Sequence, residues 1–372
     1  MVYNDIKEVL PHFKFKGTYV RAAEITSGNV NNTYRLTYRC NDRQLIYTLQ
    51  HINKYVFKNP HLVVSNIVAV TNHIKRKLLE QNKDPGRKVL EIIPTLSNEY
   101  IHVDKDGESW RAYTFIDNAD ALDVVNTLSQ MEEVGRGFGS FQKMLCDFPA
   151  ERLHETIPNF HHSTKRFYQF VRALDEDRVG RAKFVEPESE FIFEHRVMMG
   201  EIIKLTEKGV LPTRVTHNDT KANNVLLDSA TGKALCVIDL DTVMPGSVLF
   251  DYGDAIRFGA STAAEDEEDT SKIKLHMKKA EAFTRGFIDE TTGFLSDEEL
   301  YRLPLGVKVI TCELAMRFLT DYINGDLYFK VNSPVHNLVR ARAQIALLKD
   351  IEKQESKLQA TVDRFIKESS NN

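Results

Sequence analysis

The sequence predicts an α+β fold with two unequal lobes, a small β-rich lobe at the N-terminus and a larger helical lobe at the C-terminus. Three observations support this prediction. Residues 18–53 alternate β-branched or aromatic residues with polar ones, which is typical of strands. From Asp120 onward, apolar residues recur mainly at intervals of three and four, which is typical of amphipathic helices. The length of 372 residues suits two domains.

The composition limits the class of protein. Hydrophobic residues make up 42% and charged residues 27% of the chain, as in ordinary globular proteins. The net charge of −4 gives no electrostatic reason to expect nucleic acid as a partner. No apolar run reaches the roughly 20 residues of a membrane-spanning helix, and the N-terminus lacks a signal-peptide core. We therefore expect a soluble, cytoplasmic protein that binds neither nucleic acid nor membrane, in an undetermined oligomeric state.

The cysteines and histidines do not predict a disulfide framework or a zinc site. The four cysteines lie far apart, without a C-x-x-C pair, and are expected to be buried apolar thiols. His154–Glu155 resembles the start of a zinc-binding H-E-x-x-H motif, but Pro158 stands where the second histidine is required.

The N-terminal lobe is predicted to be a sheet with one helix. Turns rich in Gly, Asn and Asp separate the successive strands, and Pro60 suits the first turn of a helix. The predicted strands are TYVRAAEI, TYRLTYRC, LIYTLQHI, KVLEIIPTL, EYIHVD and WRAYTFI, and the predicted helix is HLVVSNIVAVTNHIKRKLLEQ. We place the lobe boundary so that the N-terminal lobe is 1–117 and the C-terminal lobe is 118–372.

Two segments of the helical region resemble binding sites but have simpler interpretations. The string GRGFGSF at 135–141 resembles a phosphate loop, but Ser140 stands where the third glycine should be. Gly135 and Gly139 lie four apart in a helical pattern, so they indicate close helix packing. The acidic run at 265–269 is interpreted as a solvated cap at a helix entrance rather than a metal site.

The segment Val215–Ala260 contains the residues that indicate chemistry. Two apolar strands, NNVLLD and ALCVIDLD, are separated by a turn that contains Gly232. A hairpin would bring residues before the first strand beside residues at the end of the second. The residues brought together in this way are Asp219, Asn224, Asp239 and Asp241.

This constellation suits phosphoryl transfer. Asp219 is the candidate base for an acceptor hydroxyl, and Asn224 and Asp239 are candidate ligands of Mg²⁺. Lys221 could neutralise charge on the transferred phosphoryl group, and His217 is expected to fix the loop by hydrogen bonding. A surface hairpin with Asp and Asn at its turns is the alternative. The combination H-x-D-x-x-x-x-N, then two apolar strands, the second ending in Ile-Asp, favours kinase chemistry.

The same residues resemble a known family. HNDTKANN, CVIDLD and DYGDAIRFGA are similar to the aminoglycoside phosphotransferase and choline kinase superfamily, which is related in fold to protein kinases. The pieces SGNVNNTY, LQHIN, WRAYTFID and VIDLDTVMPGS resemble, more narrowly, the N-acetylhexosamine 1-kinases. The resemblance implies a two-lobed kinase-like fold. It also implies an ATP- and Mg²⁺-dependent enzyme that phosphorylates the anomeric hydroxyl of N-acetylglucosamine or N-acetylgalactosamine.

The resemblance also assigns roles to residues on the catalytic and nucleotide sides. Asp219 matches the catalytic base, which also contacts the acceptor, and Asn224 and Asp239 match the magnesium ligands. The segment Tyr113–Asp117 matches the hinge that binds adenine, so Phe115 and Asp117 are candidate nucleotide contacts.

The loop over the nucleotide and the sugar-binding segment complete the implied site. The loop Ser27–Thr33 contributes Ser27, Gly28 and Thr33 towards the nucleotide and Asn29 towards the sugar. In ELAMRFLTDYINGDLYF, Arg317 and Tyr328 are the candidate sugar contacts.

Some positions depart from the family pattern. No G-x-G-x-x-G loop lies near the N-terminus, and Asn29 stands where a histidine is expected in related sugar kinases. Gln50 stands on the strand that usually supplies a phosphate-binding lysine or arginine, and Arg35 or Lys54 could substitute.

Two alternatives therefore stay open. One is a kinase for another small hydroxyl compound, such as choline, homoserine, an aminoglycoside or another sugar. The other is a catalytically weak nucleotide-binding regulator. The candidate acceptor residues Asn29, Arg317 and Tyr328 suit a neutral polyol better than a cation.

Overall fold

The computed structural model of the chain describes residues 6–26 and 30–370. The elements of its N-terminal part are α1 (Ile6–Val9), β1 (Thr18–Ile25), β2 (Asn32–Cys40), β3 (Arg43–His51), α2 (Pro60–Glu80), β4 (Ile92–Ile93), β5 (His102–Val103) and β6 (Ser109–Thr114). These six strands form one antiparallel sheet in the order β1-β2-β3-β6-β4, with β5 paired to β6.

The alternation of side chains gives this sheet two different faces. On one face Leu36, Leu49, Trp110 and Ala112 are fully buried in a small core. Because successive side chains of a strand point to opposite faces, Arg111 lies on the other face. That face is the one turned towards α2 and the catalytic half of the chain.

Helix α2 joins the sheet to the rest of the molecule. The side chain of Asn59 accepts a hydrogen bond from the backbone N–H of Leu62, and Pro60 occupies the first helical turn, as helix starts favour. In the second turn of α2, the Asn66 side-chain amide donates to the Val243 carbonyl at 3.0 Å. The helix predicted from Pro60 is confirmed, and it contacts both parts of the chain.

The C-terminal part is mainly helical. Its elements are β7 (Ala119–Ala121), α3 (Leu128–Met144), α4 (Ser163–Glu176), α5 (Glu186–Glu194), α6 (Arg196–Met199), α7 (Glu201–Glu207), β8 (Arg214–Thr216), β9 (Val225–Asp228), β10 (Ala234–Val237), β11 (Met244–Gly246), α8 (Val248–Gly259), α9 (Met277–Thr291), α10 (Asp297–Tyr301), α11 (Leu303–Ile323) and α12 (His336–Ser370). Strands β7, β9 and β10 form a small sheet, and β8 pairs with β11. The predicted α+β class, with a β-rich N-terminal region and a helical C-terminal region, is confirmed.

The glycines of the 135–141 segment lie in α3, which packs against α9. A Cβ at Gly135 would clash with the backbone carbonyl oxygen of Phe283, and one at Gly139 would lie 2.9 Å from the Phe287 carbonyl oxygen. The helix-packing interpretation is therefore confirmed. The chain passes from the large sheet to the small one between Thr114 and Ala119. The exact lobe boundary after residue 117 stays a prediction.

All four cysteines are free. Cys236 and Cys312 are buried as expected, but Cys146 is exposed and Cys40 is half-buried, so the prediction of buried thiols is wrong for Cys146. Within residues 6–26 and 30–370, no three His, Cys, Asp or Glu side chains form a cluster that could hold a metal ion. The helices of that same part are all too short or too polar to cross a membrane.

Candidate active site

The loop between β8 and β9, residues 217–224, is held in place by carboxylates of helix α8. The Asp251 carboxylate accepts the backbone N–H groups of His217 and Asn218, both at 2.8 Å. Asp254 accepts the N–H of Thr220 at 3.2 Å. A loop lacks the regular backbone hydrogen bonds of a helix or sheet, and these buried carboxylates supply them instead. We call residues 217–224 the catalytic loop.

His217 lies inside this arrangement and has no exposed surface. Its Nε2 lies 2.9 Å from the carbonyl oxygen of Ile238, at the end of β10. Its ring meets the rings of Phe138 and Phe141 edge-on. These contacts connect the catalytic loop to the second strand of the hairpin, as the sequence predicts for a histidine that fixes the loop.

Asp219 lies at the centre of the catalytic loop and is partly exposed. Its Oδ1 is 3.1 Å from the Lys221 ammonium, and its backbone carbonyl accepts a hydrogen bond from the Asn224 side-chain amide at 2.8 Å. The charges of Asp219 and then Asp254 raise the pKa of Lys221, against the opposing effect of burial. Lys221 is therefore a cation beside the candidate base.

The hairpin brings Asn224 next to Asp239, as predicted. Strands β9 and β10 pair antiparallel, and the N–H of Ile238 donates to the Asn224 carbonyl at 2.9 Å. Asp239 has a left-handed backbone conformation, with φ of 58°. The surrounding protein, together with the charges of Asp241 and Asp219, raises the pKa of Asp239 to about 6. Desolvation by the surrounding protein is the largest of these causes, although the Asp239 side chain is itself exposed at the surface.

These residues fit a magnesium ion. Because Nδ2 of Asn224 donates to Asp219, the Oδ1 atom of the same amide is left to act as a ligand. The oxygen atoms of Asn224 and Asp239 are hard donors of the kind that Mg²⁺ prefers. The negative charges of Asp241 and Asp219 act on Asp239, and a divalent cation bound by Asn224 and Asp239 would offset them.

Asp241 does not join the other three residues in the way that the hairpin alone predicts. It is buried and ion-paired with Arg111 of β6, and it also accepts a hydrogen bond from the Asn31 side chain at 2.6 Å. Arg111 in turn donates to the Gln50 side chain. The sequence interpretation missed Arg111, although an arginine in the middle of the apolar strand WRAYTF was a signal.

Arg35 and Lys54, the two residues proposed to replace the missing phosphate-binding lysine, contact Phe115 and Glu108. The Arg35 guanidinium lies 4.8 Å from the centre of the Phe115 ring. The Lys54 ammonium lies 3.9 Å from the Glu108 carboxylate. Neither shows a contact with the residues of the catalytic loop.

The predicted nucleotide contacts fall partly within the described structure. The Thr33 hydroxyl accepts from Gln50 at 3.1 Å. The backbone N–H of Phe115 donates to Ile46 at 3.1 Å, and the Asp117 carbonyl accepts from the Arg87 guanidinium at 3.2 Å. The other predicted contacts of this loop, Ser27, Gly28 and Asn29, lie outside the described residues.

Arg317 and Tyr328 do lie together. The Arg317 guanidinium is 5.9 Å from the Tyr328 ring centre, 5.6 Å from that of Phe329 and 5.1 Å from that of Phe160. The Asp321 carboxylate accepts the backbone N–H groups of Tyr328 and Phe329 at 2.8 and 2.9 Å, which fixes the segment after α11. We call Phe160, Arg317, Tyr328 and Phe329, with Arg166, the acceptor wall.

The acceptor wall is adjacent to the catalytic loop. His161 bridges them, with Nδ1 2.8 Å from the Glu313 carboxylate and Nε2 3.4 Å from the Asn218 carbonyl. Glu313 has no exposed surface, and the hydroxyl of Ser163 also donates to it. The pKa of Glu313 is lowered, because His161 and these hydrogen bonds outweigh the effect of burial.

Arg166 was also missed by the sequence interpretation. Its guanidinium donates to the Phe160 carbonyl at 3.3 Å. Burial and then the nearby charge of Arg317 lower its pKa from the usual arginine value. No sequence pattern marks this residue, because it is one of several basic residues on an amphipathic helix.

Comparison with known proteins agrees with this geometry. A family model described as "phosphotransferase enzyme family" matches residues 22–276. The structure of a microcompartment-associated aminopropanol kinase is similar, with a TM-score of 0.63 and 18% identity, over 95% of this chain and 97% of that one. Spectinomycin phosphotransferase in complex with ADP and spectinomycin has a TM-score of 0.51 and 14% identity, over 96% of each chain. Choline kinase from Cryptosporidium parvum has a TM-score of 0.54 and 13% identity, over 93% of each.

Proposed function

The chain belongs to the phosphotransferase enzyme family, and on this premise we propose that it phosphorylates the anomeric hydroxyl of an N-acetylhexosamine. It has the kinase-like fold of that family, and its general activity is ATP-dependent phosphoryl transfer to the hydroxyl group of a small molecule. The product would be the sugar 1-phosphate. The identity of the acceptor and the roles of individual residues are the proposal.

In the proposed mechanism, Asp219 accepts the proton of the acceptor hydroxyl as that oxygen attacks the γ-phosphoryl group. Its partial exposure and its place beside Lys221 suit this role. Lys221 stabilises the negative charge of the transferring group. Asn224 and Asp239 would hold Mg²⁺, which neutralises phosphate charge when bound. The catalytic effect is mainly positioning and charge stabilisation, so the rigid hold of α8 on the catalytic loop matters directly.

The observation that most favours a neutral acceptor is the charge of the acceptor wall. Arg166 and Arg317 lie close enough to influence each other, and the buried Glu313 is already engaged by His161 and Ser163. An ammonium group would be repelled by the two guanidinium groups, and Glu313 is not free to pair with it. Hydroxyl and carbonyl oxygens of a sugar can instead accept hydrogen bonds from arginine.

The narrower choice of an N-acetylhexosamine rests on sequence resemblance. Pieces that resemble such kinases extend from residue 27 to residue 257. The aromatic rings of Phe160, Tyr328 and Phe329 around Arg317 offer apolar surfaces on which a sugar ring can pack.

The test is an ADP-release assay with a panel of acceptors. The panel contains N-acetylglucosamine, N-acetylgalactosamine, glucose, galactose, choline, ethanolamine, homoserine and an aminoglycoside. We expect the N-acetylhexosamines to give the highest kcat/KM. The 1-deoxy derivative of the best sugar is the matched control and should give no turnover, because it lacks the anomeric hydroxyl. Phosphorus NMR of the product should show the phosphate coupled to the anomeric proton.

Two outcomes would contradict the proposal. Turnover with only choline, ethanolamine, homoserine or an aminoglycoside would replace the sugar with another acceptor. ATP binding without turnover of any acceptor would favour the nucleotide-binding regulator.

A further inference from the structure

We infer that Arg111 is the phosphate-binding cation of the nucleotide site and that it takes the place of the lysine missing at Gln50. This inference rests on the proposed use of ATP, but not on the identity of the acceptor. Protein kinases use a lysine on the third strand, paired with a helix glutamate, to bind the nucleotide phosphates. Here the cation has moved to the neighbouring strand.

The strand register supports this exchange. In the antiparallel pair of β3 and β6, Gln50 lies directly opposite Arg111. Directly opposed residues of such a pair point to the same face, with Cβ atoms roughly 5 Å apart. A long side chain on Arg111 can therefore bring its charge to the region that a lysine at position 50 would reach.

Hydrogen bonds to the Gln50 side chain fix the position of the Arg111 guanidinium. Its Oε1 accepts hydrogen bonds from Nε and Nη2 of Arg111 at 3.0 and 2.8 Å. Its Nε2 donates to the Thr33 hydroxyl at 3.1 Å, which orients the amide. The ring of Tyr113 lies 5.3 Å from the guanidinium carbon. Gln50 is uncharged, and its side chain orients the positively charged guanidinium of Arg111.

Asp241 supplies the carboxylate partner. It forms an ion pair with Nη2 of Arg111, and both side chains are almost completely buried, where an unpaired charge would be costly. Helix α2, which would supply the glutamate in a protein kinase, contains only one acidic residue. That residue, Glu80, lies at the far end of the helix, 3.8 Å from Arg76.

One donor of Arg111 is still available. Nη1 is buried and has no hydrogen-bond partner among residues 6–26 and 30–370. Buried donors are satisfied in the great majority of cases, so an Nη1 atom without an acceptor among the described residues is available for a phosphate oxygen of the nucleotide. Asp241 lies two residues after the candidate magnesium ligand Asp239, so the guanidinium is held next to the place where the phosphates of Mg-ATP would bind.

The test compares the binding of Mg-ATP with that of adenosine, measured by calorimetry on the full chain without acceptor. We expect Arg111→Met to weaken Mg-ATP binding about 10- to 100-fold and to leave adenosine binding unchanged, because adenosine has no phosphate. Arg39→Met, which removes an exposed arginine of β2, is the matched control and should change neither affinity.

Two further variants keep the test decisive. If Arg111→Met does not fold, Arg111→Met combined with Asp241→Asn removes both charges of the buried pair, and the same loss of ATP affinity is expected. Exchanging the pair as Gln50→Lys with Arg111→Gln returns the cation to β3 and should bind Mg-ATP more tightly than Arg111→Gln alone.

The inference is overturned if the folded variants bind Mg-ATP as the wild type does. It is also overturned if adenosine and Mg-ATP lose affinity equally, since Arg111 would then act only as a structural link. If the wild type binds Mg-ATP but phosphorylates no sugar, the proposed acceptor is wrong while the assignment of Arg111 stands.

Discussion

The catalytic loop and the acceptor wall differ in the groups that form them, although carboxylates accept backbone N–H groups in both. Backbone N–H groups of the catalytic loop bind buried carboxylates of α8. The acceptor wall is built from side chains of α4, α11 and the segments beside them, around Arg317. Backbone contacts constrain a loop whatever its other side chains are. A wall of side chains can change with single substitutions. Under the proposed function, the catalytic loop would carry the chemistry and the acceptor wall would select the acceptor.

The largest expected effect comes from the proposed base in the catalytic loop. Asp219→Asn should lower kcat by about 10²- to 10⁴-fold, because the amide cannot accept the proton of the acceptor hydroxyl. The KM for ATP should change little. Steady-state kinetics with the best acceptor checks this, and Asp175→Asn, on the exposed surface of α4, is the control. Near-normal turnover of Asp219→Asn would show that Asp219 is not the catalytic base.

Weakening the hydrogen bonds between the catalytic loop and α8 should give the next largest effect. Asp251→Asn leaves one of the N–H groups of His217 and Asn218 facing an amide N–H₂ instead of an oxygen. We expect a loss of about 1–3 kcal/mol in the free energy of unfolding and a fall in kcat of up to about 100-fold. Urea unfolding and kinetics measure the two effects. An unchanged kcat would show that α8 does not control the position of Asp219.

Substitutions in the acceptor wall should change the KM for the acceptor rather than kcat. Arg317→Met should raise the acceptor KM about 10- to 100-fold and leave the KM for ATP unchanged, because the guanidinium is expected to bind sugar oxygens. Tyr328→Phe, which removes one neutral hydroxyl, should raise it by less than about 10-fold. Equal changes in the KM values of ATP and acceptor would contradict the separation of the two regions.

The smallest effect is expected at a contact outside both regions. Hydrogen bonds from Lys77 and His73 join α2 to Asp147, in the segment after α3, and lower the pKa of Asp147 to about 2. The side chain is 57% exposed, so screening by water limits its contribution to less than about 1 kcal/mol. Asp147→Asn should leave both kcat and KM unchanged.

The pH dependence of this contribution has a definite sign. Because the pKa of Asp147 in the folded state lies below its ordinary value of 3.8, the contribution is present above that value and is lost as the pH falls towards about 2. The difference in unfolding free energy between wild type and Asp147→Asn should therefore shrink in acid. A difference that grows in acid would contradict the assignment.

The sequence predicted the elements whose signals are local. The strands of residues 18–51, the helix from Pro60 and the packing glycines of α3 all follow from periodicity and from turn or capping residues close in the chain. The approach of Asn224 to Asp239 was also predictable, because Asn224 directly precedes the first strand of the hairpin β9–β10 and Asp239 follows the second.

Contacts between residues that are far apart in the chain were determined by the tertiary structure alone. The pairing of Arg111 with Gln50 depends on the register of two strands, and its ion pair with Asp241 depends on how the N-terminal sheet meets the catalytic hairpin. The acceptor wall likewise joins Arg166 to Arg317. Local sequence patterns specify backbone conformation, whereas contacts between residues 61 or more positions apart depend on packing, which no single segment of the sequence encodes.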